Sequence, residues 1–131
     1  MDGTVQISFQ GHSGEVPDSA GLLVREVLAV TDREYEPLAY YVLVHVGGVW
    51  VRLMLDEGVL FVEKTHAPGA VGHEDEIDVL SEIALPSGPI QRFAVQDGVV
   101  LLSVADWTLV VVEDPESCLA VLSLKRPAVR I

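Results

Sequence analysis

His66, His73, Glu74 and Glu76 are the side chains whose types and proximity in the chain could hold a metal ion. Their spacing fits no zinc signature, and neither a cysteine pair nor a His-Glu-x-x-His run is present. The acidic stretch around them also lacks the glycine that an EF-hand loop needs after its first ligands. The sequence therefore points to no metal and to no other cofactor.

Nucleophilic chemistry is equally hard to build. Gly11-His12-Ser13-Gly14 has a serine between glycines, but Glu15 stands where the nucleophile elbow G-x-S-x-G requires its second glycine. An elbow also needs a strand-to-helix turn on a large parallel sheet, for which 131 residues leave little room. A loop is the expectation there. Cys118, the only cysteine, lies near Glu113, Asp114 and Glu116. Negative neighbours disfavour the thiolate, so a small buried hydrophobe is its expected role. Asp56 and Asp106 could exchange protons, but both fall at hairpin turns, where aspartate serves local hydrogen bonding. No catalytic residue is assigned, and the reading leans away from an enzyme.

Binding chemistry is better represented. A two-residue turn at Gly47-Gly48 sets His45 opposite Trp50 and Leu43 opposite Arg52. Val42, Val44, Val46, Val49, Val51 and Leu53 then share one face, which is expected to be core. The other face carries Tyr41, Leu43, His45, Trp50, Arg52 and Met54. Trp, Tyr, Arg and Met are enriched at protein interfaces, so Tyr41, His45, Trp50, Arg52 and Met54 are candidate partner-binding residues. The competing reading packs them beneath another part of the chain, or lays Arg52 along Trp50. A second candidate is the acidic patch of Glu74, Asp75, Glu76, Asp78 and Glu82. Such a patch steers a basic partner, or serves only to solvate one face.

Twenty acidic and eight basic side chains leave a net charge of −12, yet half the residues are hydrophobic. Mean hydropathy is +0.39. Apolar strands buried between layers, with acids crowded into the turns, would reconcile the two. Nucleic acid is disfavoured as a partner, because phosphate recognition needs clustered Lys and Arg and only Lys125-Arg126 adjoin. Leaving tyrosine aside, the longest apolar runs are four or five residues, far short of the ~20 of a membrane helix. The start of the sequence carries no signal-peptide pattern, and one cysteine cannot form an intrachain disulfide, so a cytoplasmic location is expected.

The elements that must position these residues are mostly strands. Thr4 to Gln10 alternates apolar and polar residues. Strands are expected over 38–46, 49–55, 59–64, 90–96, 99–105, 107–113 and 118–125, with Asp114-Pro115-Glu116-Ser117 as the last turn. Residues 20–31 are ambiguous: Ala20, Leu23, Val24, Val27, Leu28 and Thr31 fit one helical face, while their β-branched content favours a strand. A strand is preferred there. Residues 74–85 suit a short helix or a strand.

Two hairpin stretches echo each other. At an offset of 50, His45–Glu63 and Val95–Glu113 share five of nineteen residues, including Gly48/Gly98, Val62/Val112 and Glu63/Glu113. Their apolar faces have opposite parity, however. Val49, Val51 and Leu53 are core-facing in the first, whereas Phe93, Val95, Val100, Leu102 and Val104 form the apolar face of the second. Similar turns with different packing are therefore expected.

The expected fold is a single all-β domain over 1–131, with room for one short helix in the ambiguous stretches: an antiparallel sandwich or flattened barrel of about 9–10 strands built from meanders. The expected function is a non-catalytic protein-binding module, an acidic inhibitor or immunity-type protein that neutralises a basic partner. The alternative is a small ligand-binding or catalytic β-barrel with Tyr41, His45, Trp50 and Arg52 lining its interior. A third reading is a homo-oligomeric structural domain that associates through apolar sheet faces.

Overall fold

A computed structural model describes residues 7–32, 38–65, 78–83, 85–117 and 119–125. All regular structure among them is antiparallel strand. We number the strands β1 (Phe9–Gly11), β2 (Ser13–Glu15), β3 (Leu23–Asp32), β4 (Ala39–Val46), β5 (Val49–Asp56) and β6 (Val59–Thr65). They continue as β7 (Asp78–Glu82), β8 (Gly88–Gln96), β9 (Val99–Val104), β10 (Trp107–Glu113) and β11 (Ala120–Lys125). No helix among the described residues is long and apolar enough to cross a membrane.

The hydrogen-bonded order is β1-β6-β5-β4-β11-β10-β9-β8-β3-β7, and β3 also pairs with β4. Six strands, β3, β4, β11, β10, β9 and β8, thus close on themselves into a flattened barrel, with β5, β6, β1 and β7 as outward extensions. Closure is narrow on both sides. β4 meets β11 only at Ala39↔Ala120, because β5 takes the same edge of β4 from Val42 onward. Both alanines are fully buried, and their small side chains let the two strands converge at that fork. β3 meets β8 only at Leu23↔Pro89 and Val24↔Gly88.

The ambiguous stretch at 20–31 is a strand from Leu23 onward, and its helix-like spacing has a physical cause. β3 is bulged against β4 between Val24 and Glu26. One extra residue shifts the alternation, so Val24 and Val27, three apart, both point inward. The irregularity between Ile90 and Arg92 likewise leaves Ile90 and Phe93 both buried. In the stretch 74–85, Asp78–Glu82 is β7, paired with β3, and residues 74–77 lie outside the described residues. One expectation is corrected within 11–19. Ser13–Glu15 is not loop but a three-residue strand that pairs with Gln96, Val95 and Ala94 of β8.

The core fills the space between β3–β6 and β8–β11. Val42, Val44, Val46, Val51, Leu53, Leu60 and Val62 meet Phe93, Val95, Val100, Leu102 and Leu109, all almost completely buried. Fully burying side chains of this kind stabilises by about 1.5–3 kcal/mol each before entropy is counted.

Three hairpins turn through consecutive left-handed residues, as type I′ turns do. These are Gly47-Gly48 (φ 57° and 84°), Glu57-Gly58 (51° and 78°) and Asp97-Gly98 (51° and 76°). The last two turns meet: a Cβ added at Gly98 would sit 3.6 Å from the Gly58 Cα. Glu113 joins them from the end of β10. The backbone N–H groups of Glu57 and Gly58 each donate to one of its carboxylate oxygens, at 3.0 Å.

Candidate functional site

The register of the β4–β5 hairpin follows from its turn. Val46 pairs with Val49, His45 with Trp50, Val44 with Val51 and Leu43 with Arg52. With Val42, Val44, Val46, Val51 and Leu53 buried, the residues between them must project from the opposite side of the sheet. Tyr41, His45, Trp50, Arg52 and Met54 are all half-exposed there, and Leu43 is buried among them. These side chains do not line the interior of the barrel, which is filled by aliphatic residues and Phe93.

The outward face is internally organised. The His45 and Trp50 rings stack at 4.7 Å between centroids and 8° between planes. The Arg52 guanidinium carbon lies 5.6 Å from the centre of the Tyr41 ring, and Arg52 also forms an ion pair with Glu63 of β6. At partly exposed positions such contacts contribute about 0.5–1 kcal/mol each. Their larger consequence is to restrict rotamers before any partner arrives, which lowers the entropy cost of binding.

Neighbouring strands widen the face beyond what the hairpin indicates. Met54 stands opposite Phe61, and Arg52 opposite Glu63, on β6. On β3, Glu26 and Leu28 are half-exposed opposite His45 and Leu43, whereas Val30, opposite Tyr41, is buried. Phe61 is half-exposed and extends the Tyr41–Met54 row. It was readable in principle, since a two-residue turn at Glu57-Gly58 places Met54 and Phe61 in register.

The acidic run is only partly placed. Glu74, Asp75 and Glu76 lie outside the described residues, as do His66, His73 and Cys118. The backbones of Asp78 and Glu82 begin and end β7, with Asp78 opposite Asp32. A second acidic concentration comes from the turns. Asp56, Glu57, Asp97, Glu113, Asp114 and Glu116 gather at the end of the barrel where the 57–58 and 97–98 turns meet, with no Lys or Arg among the described residues there. The hairpins bring these residues together from three separate places in the sequence.

Asp114 has a local task in this cluster. Its carboxylate accepts from the Ser117 hydroxyl at 2.7 Å and the Ser117 backbone N–H at 2.9 Å. Those bonds hold its pKa below the ordinary aspartate value. Its own backbone N–H donates to the Leu119 carbonyl at 2.7 Å, closing the turn between β10 and β11. Among the described residues no three His, Cys, Asp or Glu side chains converge to hold a metal.

Comparison with known proteins finds no matching family, no matching curated protein and no matching solved structure.

Proposed function

We propose that this chain is a non-catalytic protein-binding module of the inhibitor or immunity type, directed at a basic protein. The observation that carries the reading is the pre-ordered outward face of β4 and β5. The stacked His45–Trp50 pair and the Arg52–Tyr41 contact supply aromatic and guanidinium anchors, the groups that dominate binding energy at protein interfaces. Acids at the Gly58 end of the barrel supply long-range attraction and disfavour acidic competitors. Acidic groups of this kind could also stand in for the anionic substrate of a basic enzyme.

The test compares proteins retained from source lysate by the wild-type chain, by W50A/Y41A and by a variant in which Asp97, Glu116, Asp78 and Glu82 are neutralised. A basic protein held by the wild type and weakened at least tenfold by W50A/Y41A supports the reading. Neutralised acids are expected to slow association and flatten its salt dependence. Identical retention by all three chains would sink it.

A further inference from the structure

The outer face of the opposite sheet has a charge pattern unlike the rest of the chain. Its side chains are those between the buried positions of β8–β11, and the register arranges them in rows. Arg92, Ser103, Thr108 and Lys125 form one row. Ala94, Leu101, Val110 and Ser123 form the next. Gln96 pairs with Val99, and Val112 with Val121, nearest the acidic turns. Leu101, Val110, Val99, Val112 and Val121 are contiguous and half-exposed. None of the chain's 20 acids lies in these rows on β8–β11, and Glu15 of β2 adjoins them opposite Ala94.

The two ends of these strands differ in charge, although the exposed Asp106 of the β9–β10 turn and Glu15 of β2 also stand toward the end that carries the bases. Arg92 and Lys125 are exposed at one margin, Arg92 bonding to Glu15 at 3.2 Å. Exposed Asp97 and Glu116 stand beyond the other margin. A chain of net charge −12 repels its own copies unless they meet where acids are absent or opposed by bases. Arg92 and Lys125 meet the second condition on β8 and β11, provided the strands of the two copies run antiparallel. Arg92 and Lys125 then face the partner's acidic turns, and the aliphatic centres meet. The parallel arrangement would set acid against acid.

We propose that the outer face of β8–β11 is a self-association surface that pairs two copies of this chain, antiparallel, about a two-fold axis. Four strands by three rows cover on the order of 400 Å² per copy. That is about half of a standard stable interface, so the dimer is weak and assembles with rising concentration. The surface is distinct from the β4–β5 face and does not depend on the function proposed for it.

Sedimentation of the full chain with a reductant present, from about 10 µM to about 1 mM, tests the proposal. Average mass is expected to rise from the 14.2 kDa of one chain toward twice that value. L101K, on an outward position, is expected to keep the native circular dichroism and weaken association at least tenfold. K125E is expected to weaken it several-fold, E116K/K125E to restore it, and added salt to weaken the wild-type dimer. W50A, on the other sheet, is expected to leave it unchanged. A wild-type chain that stays monomeric at every concentration overturns the proposal, as does a dimer that L101K leaves intact or W50A dissolves. Association that strengthens with salt and ignores K125E overturns the antiparallel arrangement.

Discussion

The β4–β5 and β8–β9 hairpins have the same kind of turn and opposite insides. Both turn through two left-handed residues, Gly47-Gly48 and Asp97-Gly98. Fifty positions apart, Val51 is 1% exposed, while Leu101 is half-exposed on the outside. Leu53 is buried where Ser103 faces out and shares a hydrogen bond with Thr108 at 2.9 Å. Turn chemistry sets which residues stand opposite each other. The alternation of apolar residues sets which side is buried, and the two are independent. The glutamates that end the echo diverge in the same way. Glu63 projects outward to pair with Arg52, while Glu113 turns inward to hold the 57–58 turn.

Lysine at the two equivalent positions breaks this comparison most forcefully. V51K would bury a charged amine without a partner and is expected to cost roughly 4 kcal/mol or more, enough to unfold many domains of this size. L101K is expected to change stability by less than about 1 kcal/mol. Urea denaturation monitored by tryptophan fluorescence distinguishes them, and equal costs would contradict the opposite parity.

Removing the two glutamates gives the next largest difference. E113A leaves two turn N–H groups without their charged acceptor and is expected to cost about 1.5–3 kcal/mol. E63A removes an exposed ion pair and is expected to cost no more than about 1 kcal/mol. Denaturation midpoints at equal m-values measure both. A larger loss for E63A would mean that the outward ion pair, and not the clamp on the turn, organises this side of the molecule.

A third contrast lies within the second hairpin pair. The β9–β10 turn places Ala105 at φ 54°, a region that disfavours a side chain, where the other turns have glycine at one or both positions. A105G is expected to stabilise by up to about 1 kcal/mol, read as a higher thermal midpoint, whereas G48A and G98A are expected to destabilise by a similar amount. A neutral A105G would show that the turn relieves the strain by other means.

The smallest effect is a pH dependence. Asp114 has a folded pKa below its ordinary value of 3.8, so its bonds to Ser117 contribute fully above that value. The contribution disappears as pH falls below 3.8 through the lowered folded pKa. D114N is expected to be slightly less stable than wild type at neutral pH and to lose less on acidification between about pH 4 and pH 2. Parallel acid-unfolding curves for the two proteins would remove Asp114 from the acid response.

Much of the hairpin architecture is legible in the sequence because two-residue turns and period-two patterns are local signals. His45 opposite Trp50, the buried valines of β4 and β5, and the inverted parity of β8 and β9 all follow from residues within about twenty positions. Bulges obscured the rest. At Val24–Val27 an extra residue gave a strand the spacing of a helix. β2 is not legible in the sequence, because Ser13-Gly14-Glu15 has no apolar alternation and is a strand only through its pairing with β8. Phe61 joins the outward face from a third strand, so its place there follows only when the β5–β6 turn is read together with the β4–β5 turn.

The sequence by itself determined the all-β class, the turns, the local register and which face of each hairpin is apolar, since these depend on backbone conformation and neighbouring side chains. Only the tertiary structure decided that the barrel closes at Ala39–Ala120 and Val24–Gly88, that Glu113 holds a turn more than fifty residues away, and that dispersed acids share one end. The physical reason is distance along the chain. Such contacts join segments whose local preferences say nothing about each other, and they are fixed only when the whole core packs.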